Sequence, residues 1–239
     1  VVLPVDPYVD GEYFNKIHEL DRAVQNGAGN IVLMGVEPTY PSEKYGYIIP
    51  ENGQSEVMKV AEFKEKPTAD VAAEFIRQGG LWNCGVFAFR LSYLKDIVKS
   101  QIECSSFADV EAQYSRLEKT SFDYAVVEKA DSVAAISYTG EWKDLGTWNT
   151  LTEVMEPEPI GDVRMADDCV NTHVINELDI PVVVMGAKDM VIAASHDGIL
   201  VADKEQSSYI KRHVESMDRR PMFEERGWGE YKVLDMVVN

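Results

Sequence analysis

The sequence predicts an α/β domain with a mixed sheet, followed by a small region of β-strands and then by a C-terminal helix and linker. Two observations support this fold class. Continuous apolar runs alternate with helical periodicity in the first part of the chain, as in a sheet that is covered on both faces. Beyond EPEPIGD (156–162), short β-type runs are separated by turn residues. We place the three regions at residues 1–158, 159–204 and 205–239.

The first predicted element is a βαβ unit. VVLPV (1–5) and NIVLMGV (30–36) are continuous apolar runs, and the segment between them has apolar residues at helical spacing and ends at Gly27. Apolar runs of this length are typical of strands buried in a parallel sheet. We therefore expect a first strand over 1–5 whose carboxyl end carries Asp6.

The rest of the α/β domain follows from the same two periodicities. Helical segments end at glycines or turn residues, and the strands between them are short apolar runs. We predict a loop at 38–50, strands at 57–63, 81–90 and 133–138, helices at 68–80, 91–100, 107–119 and 121–130, and a loop that enters a helix at 140–151.

The β region contains apolar runs that turn residues separate at short intervals. This pattern favours coiled, rung-like strands over a second α/β unit. A final helix is predicted at 205–217, with Ile210, Val214 and Met217 on one face. The predicted strands of the region lie at 169–175, 180–186, 190–195 and 198–203.

Composition restricts the partners of this protein. Hydrophobic residues make up 45% of the 239 residues, enough for a sizeable core. The 41 acidic against 23 basic residues give a net charge of −18, which argues against nucleic acid or a membrane as a partner, because both are bound through basic surfaces. The three widely spaced cysteines indicate neither a disulfide framework nor a zinc site, so we expect a cytoplasmic protein.

Asp6 and Asp144 each follow a predicted strand. In an open α/β sheet, ligands bind beyond the carboxyl ends of the strands. Two carboxylates at such ends could hold one Mg²⁺ together with phosphate oxygens. Each aspartate could equally cap a turn or a helix.

The FKEKP segment places Glu65 and Lys66 at the end of a predicted strand, with Pro67 stopping the run. A lysine is a point charge that suits a phosphate, and a carboxylate accepts hydrogen bonds from sugar hydroxyls. The alternative is a solvated cluster of charges.

The Tyr45–Gly46–Tyr47 and LWNCG segments are weaker candidates. A glycine allows a ligand to approach the backbone closely, and Gly85 follows Asn83 by two residues. The Asn83 amide could bridge ligand hydroxyls or satisfy a buried backbone group. Gly46 could be a turn glycine, and the tyrosines could belong to the core.

Taken in order, six segments resemble the bacterial mannose-1-phosphate guanylyltransferases (GDP-mannose pyrophosphorylases) of the sugar-nucleotide pyrophosphorylase family. The resemblance covers almost the whole chain, and the closing ERGWGEYKVLD is similar to the linker that precedes a cupin-type isomerase domain in bifunctional members. The six segments are VLPVD, GVEPTYPSEKYGYI, FKEKP, LWNCGVFAF, SFDYAVVEKA and EWKDLGTW.

The resemblance implies a nucleotide-diphospho-sugar transferase fold (Rossmann-like, with a mixed sheet) and a left-handed β-helix-like appendage, which is a reasonable surface for a homodimer. It implies the synthesis of GDP-mannose and pyrophosphate from GTP and mannose 1-phosphate with Mg²⁺. Asp6, Lys66 and Asp144 would be catalytic, the two aspartates as Mg²⁺ ligands and Lys66 on the sugar phosphate. The sugar would be bound by Gly46, Tyr47, Glu65, Lys66, Asn83 and Gly85.

Two departures from the family pattern affect these expectations. The opening glycine-rich loop of the family, which cradles the triphosphate, has no counterpart in these residues. We therefore expect an N-terminally truncated domain that is inactive, or nearly so, by itself. Pro7 stands where the family commonly has histidine, next to the expected metal ligand Asp6.

Two alternatives to mannose-1-phosphate guanylyltransferase stay open at this point. One is a pyrophosphorylase for another sugar 1-phosphate or nucleotide. The other is a non-catalytic subunit that binds a sugar phosphate.

Overall fold

The computed structural model describes residues 1–51, 55–215, 217 and 222–233. The chain forms two compact units, Val1–Lys143 and Asp144–Asn239. Within the described residues, no helix has both the length and the apolar character needed to cross a membrane.

The first unit is built on a closed barrel with a mixed hydrogen-bonding pattern. Two strands pair in parallel, β2 with β6, and the other neighbours are antiparallel. The predicted α/β class with a mixed sheet is thereby confirmed. In the order β2-β5-β3-β4-β6, the barrel consists of β2 (Ile31–Val36), β5 (Leu81–Phe89), β3 (Tyr47–Pro50), β4 (Met58–Lys64) and β6 (Val133–Tyr138).

Strand β2 is buried along its whole length. Its side chains alternate between two core clusters, with Val32 and Met34 in one, and Ile31 and Leu33 in the other. A strand with apolar packing on both faces has no position for a polar side chain. This is why its sequence is a continuous apolar run.

Helices cover the barrel strands on both sides. Leu20 of α1 packs into the cluster that contains Val32, and Leu94 of α3 packs against the cluster that contains Ile31. Positive φ angles at Gly27 (+76°) and Gly79 (+78°) follow the ends of α1 and α2, as expected for helix-stop glycines. The helices of this unit are α1 (Glu12–Gln25), α2 (Ala69–Arg77), α3 (Leu91–Gln101), α4 (Phe107–Gln113) and α5 (Phe122–Ala125).

Two predicted helices are shorter in the structure. The helix predicted at 107–119 is α4 followed by a 3₁₀ turn at Tyr114–Arg116. The one predicted at 121–130 is α5 followed by a 3₁₀ turn at Val127–Lys129. Val126 leaves the helical backbone conformation (φ −124°, ψ −55°), and both Val126 and Val127 then pack into one core cluster. Tertiary packing therefore overrides the helical pattern here.

The strand predicted at 1–5 is wrong. Only Val2 forms a bridge, with Phe87, and the first strand is β1 (Pro7–Val9), which pairs with β7 (Trp142–Asp144) in a separate two-stranded sheet. Pro4 has no N–H to donate to a ladder. Asp6 therefore precedes a strand instead of ending one. The loop predicted at 38–50 also contains a strand that the sequence pattern missed, β3.

The second unit contains strands that pair in parallel between successive passes of the chain. Strand β8 pairs with β10, and β9 pairs with β11, around a small core of Val163, Val174 and Val184. This pairing is the one expected of coiled, rung-like strands. The strands are β8 (Val163–Met165), β9 (His173–Asn176), β10 (Val182–Val184), β11 (Met190–Ser195) and β12 (Gly198–Asp203).

Short helices and a hairpin complete the second unit. The helix predicted at 205–217 is two helices, α7 (Lys204–Ser207) and α8 (Lys211–Val214), and α6 (Trp148–Thr152) lies near the start of the unit. Part of the predicted C-terminal helix and linker lies outside the described residues, namely 216, 218–221 and 234–239. The hairpin of β13 (Phe223–Arg226) and β14 (Gly229–Lys232) was not predicted.

A polar cluster joins the turns of the second unit, with Lys204 and His173 buried and Asn171 and Asp189 exposed. Lys204 is 9% exposed and donates a hydrogen bond to Oδ1 of Asn171 at 2.7 Å, whose amide donates to Asp189 at 2.7 Å. His173 is buried beside them, and its Nδ1 has no hydrogen-bond partner. Burial, and then the charge of Lys204, lower the pKa of His173.

We predict that acid loosens this part of the second unit. Because the pKa of His173 in the folded chain lies below its ordinary value of about 6.5, the unfolded chain binds the proton more readily. The free energy of opening should therefore fall as the pH drops from about 6.5 through the lowered pKa. Hydrogen exchange of the β9 amides at pH 5.5 and 7.5 measures this, and His173→Gln should reduce the difference. The exposed His18 offers a control in His18→Gln, and an equal pH response in all three proteins would contradict the prediction.

Candidate functional site

The segment after β4 has an unusual backbone. Lys66 has a φ of +47°, one of three positive values at non-glycine positions among the described residues. Its N–H donates a hydrogen bond to the carbonyl oxygen of Tyr45 at 3.2 Å. A side chain is held in this conformation only where the surrounding structure imposes it, and such positions are frequent at binding sites.

Glu65 is a carboxylate that is almost removed from water. It is 7% exposed, and its Oε1 lies 3.2 Å from Nζ of Lys66, whose own side chain is 53% exposed. Burial raises the pKa of Glu65, and the neighbouring Asp123 carboxylate raises it further. Its backbone N–H donates to Oε1 of Glu128 at 2.9 Å. The pair therefore combines a buried acceptor with a reachable cation.

Gly46 lies against this carboxylate. A Cβ at this position would stand 2.5 Å from Oε2 of Glu65 and 2.9 Å from Cζ of Phe63, distances that no real Cβ tolerates. The carbonyl oxygen of Gly46 accepts the N–H of Asn83 at 2.8 Å. The absence of a side chain at Gly46 thus allows Glu65 to occupy its position.

Strand register explains why these residues meet. Tyr47 of β3 is paired with Lys64 of β4 and with Trp82 of β5. Antiparallel pairing then brings Gly46, one residue earlier, to the level of Glu65 and Asn83. Residues from three separate stretches of sequence therefore meet at the same end of three neighbouring strands.

The Asn83 amide is fixed in orientation. Its Nδ2 donates to Oδ1 of Asp123 at 3.0 Å, and its Oδ1 accepts the N–H of Gly85 at 3.1 Å. Gly85 has a φ of +72°, which glycine adopts without strain. One amide hydrogen and one acceptor position of Asn83 have no partner among these contacts, so the side chain can bind a ligand in one orientation.

Asp123 is the site residue that the sequence did not single out. It lies in the first turn of α5, is half-buried, and receives the Asn83 hydrogen bond. Burial raises its pKa, which the positive charge of Lys66 partly opposes. An aspartate in a first helical turn normally indicates capping, so only its place in SFDYAVVEKA pointed towards a site.

Tyr47 takes a supporting position. Its side chain is fully buried in the core, where its hydroxyl donates to the carbonyl oxygen of Ser42 at 3.1 Å and accepts the Trp82 indole N–H at 2.9 Å. Burial raises its pKa. Since protein groups already satisfy the hydroxyl, Tyr47 is suited to holding β3 against β5. Its predicted contact with a sugar stays a prediction.

The two predicted metal ligands differ in their surroundings. Asp6 is exposed, and no described residue forms a hydrogen bond or ion pair with its carboxylate. Asp144 is half-buried, and its Oδ1 accepts the N–H of Gly146 at 2.9 Å. Within the described part of the chain, no group of three or more His, Cys, Asp or Glu side chains could hold a metal ion. A cation there would need oxygen ligands from a substrate.

The chemistry of the site around Glu65 suits a ligand with an anionic end and hydroxyl groups. Lys66 offers a reachable positive charge, Glu65 accepts hydrogen bonds, and Asn83 both donates and accepts them. Lys64 is already paired with Glu128 at 3.3 Å. Lys66, paired with Glu65 at 3.2 Å and 53% exposed, is the lysine that lies at this carboxylate.

Comparison with known proteins gives a consistent result. A model of the nucleotidyl transferase family matches residues 1–158. The alginate biosynthesis protein AlgA of Pseudomonas putida is 30% identical, over 99% of this chain and 55% of that protein. A mannose-1-phosphate guanylyltransferase of Salmonella montevideo is 29% identical, over 98% of this chain and 57% of that protein. The chain thus spans about half the length of the curated relatives it matches.

A solved structure has a similar fold. A protein described as a mannose-1-phosphate geranyltransferase from Thermus thermophilus superposes with a TM-score of 0.73 at 29% identity. The match covers 90% of this chain and 68% of that chain. The likeness therefore extends well beyond the residues that the family model matches.

We predict that Gly46→Ala disrupts the site locally. The added methyl group must displace Glu65 or Phe63, which should lower the free energy of unfolding by about 1–3 kcal/mol, the usual cost of overpacking. Thermal unfolding measures the loss. Gly11→Ala is the matched control, because a Cβ at Gly11 meets nothing within 4 Å. Equal melting temperatures of the two variants would contradict the close contact.

Proposed function

Because the chain belongs to the nucleotidyl transferase family, we propose that it serves the synthesis of GDP-mannose and pyrophosphate from GTP and mannose 1-phosphate. The observation that carries the proposal is the buried Glu65 beside the reachable Lys66, with the fixed Asn83 amide next to them. The substrate named for the Salmonella relative, mannose 1-phosphate, has the anionic and hydroxyl groups that this site would bind.

Each residue of the site has a distinct part in the proposal. Lys66 binds the sugar phosphate as a point charge, and its left-handed backbone (φ +47°) sets the direction in which its Cβ leaves the chain. Glu65 accepts hydrogen bonds from sugar hydroxyls, and Asn83 completes the recognition of the hydroxyl pattern. Hydrogen bonds to charged groups contribute about 1.5–3 kcal/mol each, so a few of them suffice for selective binding.

The reaction is a transfer of a nucleotidyl group. An oxygen of the mannose 1-phosphate group forms a bond to the α-phosphorus of GTP. The bond from that phosphorus to the oxygen bridging to the β-phosphorus breaks, and pyrophosphate leaves with that oxygen. The contribution of Lys66 is to hold the attacking phosphate in line and to offset its charge, the two effects that dominate such transfers.

Magnesium is the proposed cofactor. The ion would neutralise phosphate charge during the transfer. Asp6 fits as a ligand because its exposed carboxylate has no partner among the described residues, and Asp144 fits because Oδ2 is not used by its contact with Gly146. Carboxylate oxygens are the ligands that Mg²⁺ prefers. We further propose a cytoplasmic homodimer, as the sequence predicts.

The affinity for mannose 1-phosphate tests the sugar-phosphate assignment. We expect calorimetric titration of the 239-residue chain with Mg²⁺ present to show binding, and Lys66→Ala to weaken it by about tenfold or more, the factor of one charged hydrogen bond. Lys59→Ala changes an exposed lysine of the same strand and should leave the affinity unchanged.

The outcomes separate the candidate substrates. Equal affinity for glucose 1-phosphate would favour a pyrophosphorylase for another sugar. Unchanged affinity in Lys66→Ala would overturn the role of Lys66, and a folded wild-type chain that binds no sugar phosphate would overturn the proposed function.

A second prediction concerns the cofactor. Asp6→Asn should weaken the binding of Mg²⁺ in the presence of mannose 1-phosphate, because an amide is a poorer ligand than a carboxylate. Titration of Mg²⁺ measures the change, and Asp21→Asn on the exposed face of α1 is the control. The same Mg²⁺ affinity in both variants and the wild type would remove Asp6 from the metal site.

A further inference from the structure

We propose that Asp123 is a positioning residue of the sugar-phosphate pocket, which holds the Asn83 amide and makes the pocket prefer sugar phosphates over free inorganic anions. The inference rests on the proposed function and assigns a further residue to its site. It depends on one hydrogen bond, on the burial of Asp123 and on the charges that surround Lys66.

The hydrogen bond decides the orientation of Asn83. An asparagine amide can flip, which exchanges its donor and acceptor ends. Here Nδ2 faces the Asp123 carboxylate at 3.0 Å, an acceptor that no flipped amide could satisfy. The Gly85 N–H supports the same orientation at the other end of the amide. A ligand therefore meets the donor and acceptor of Asn83 in an arrangement that Asp123 selects.

Capping of α5 accounts for only part of the position of Asp123, whose carboxylate also accepts hydrogen bonds from its own backbone N–H and from Ser121. The helix has only four residues, and Ser121 is its N-cap, accepting the N–H of Tyr124 at 3.4 Å. Asp109, in the first turn of α4, is also half-buried, but its carboxylate accepts only from the neighbouring Ser105 and Ser106, as a capping residue does. Asp123 is half-buried and bonded to a strand of the barrel. Burying a charge costs free energy, so its position calls for a role beyond capping.

The negative charge of Asp123 also affects the binding of anions at Lys66. Lys66 lies 3.2 Å from the Glu65 carboxylate and interacts electrostatically with Asp123 as well. The remaining charged groups beside Glu65 are Glu128 and Lys64, which pair with each other. An anion that approaches Lys66 therefore also approaches the carboxylates of Glu65 and Asp123, which repel it.

This surplus of negative charge favours a particular ligand. A bare anion gains only the attraction of Lys66 and is repelled by both carboxylates. A sugar phosphate gains hydrogen bonds from its hydroxyls to Glu65 and Asn83 in addition. The carboxylates therefore weaken the binding of a free anion and favour an anion that carries hydroxyl groups.

The test compares two ligands across two variants. Asp123→Asn removes the charge but keeps an amide oxygen that can accept from Asn83, and Asp123→Ala removes both. We expect Asp123→Asn to bind inorganic phosphate several-fold more tightly than the wild type. Asp123→Ala should in addition lose about tenfold in affinity for mannose 1-phosphate, the factor of one charged hydrogen bond. Asp109→Asn, which also neutralises a carboxylate in a first helical turn, should change neither affinity.

A pH series adds a readout that a purely structural role would not move. Sulfate, whose charge is constant between pH 5 and 8, should bind the wild type more tightly as the pH falls, because protonation of Glu65 and Asp123 frees Lys66. Asp123→Asn should show a smaller slope. Thermal unfolding of each variant establishes that it is folded.

Each outcome has one reading. Unchanged phosphate affinity in a folded Asp123→Asn, or unchanged preference for mannose 1-phosphate in Asp123→Ala, would overturn the role of Asp123 and leave the proposed function standing. A wild-type chain with no preference for sugar phosphates would overturn the proposed function. The response of phosphate affinity to Asp123→Asn would still show whether its charge opposes anions at Lys66.

Discussion

The burial of the Glu65 carboxylate is the constraint on which the site depends. A charge in a place that water barely reaches is stable only with close partners. Lys66 supplies the opposite charge, and Gly46 leaves the space that the carboxylate occupies. The pKa of Glu65 is raised, so Lys66 does not fully offset the cost of burying its charge. The site is thus held ready for a ligand whose donors would complete it.

The barrel is what brings these groups together. Gly46, Glu65 and Asn83 come from β3, β4 and β5 or from the residue next to them, and one shared register aligns all three. A slip of one residue between two strands would turn each side chain to the opposite face. The fully buried Tyr47, bonded to Trp82, resists such a slip because its hydroxyl fits one register. Core packing and ligand recognition are therefore coupled through neighbouring residues of β3.

The sequence predicts the mixed α/β class and most elements of the first unit, because long apolar runs and helical periodicities are local signals. It fails where the outcome depends on distant contacts. The strand expected at 1–5 does not form around Pro4, and the helix expected at 121–130 ends where Val126 and Val127 enter the core. FKEKP marked Glu65 and Lys66 correctly as neighbours of a strand end. No local pattern could reveal that Asp123 holds Asn83, since forty residues separate them.

The left-handed backbone of Lys66 has a consequence for how this protein can change. A side chain in that conformation costs about 1–3 kcal/mol, and glycine would relieve most of it. A selection for thermal stability alone would therefore favour glycine at this position and remove the cation that lies beside Glu65. At this position, the substitution that would increase stability would remove the charge proposed for ligand binding. An evolving or engineered chain could gain stability there only by losing the positive charge that we propose binds phosphate.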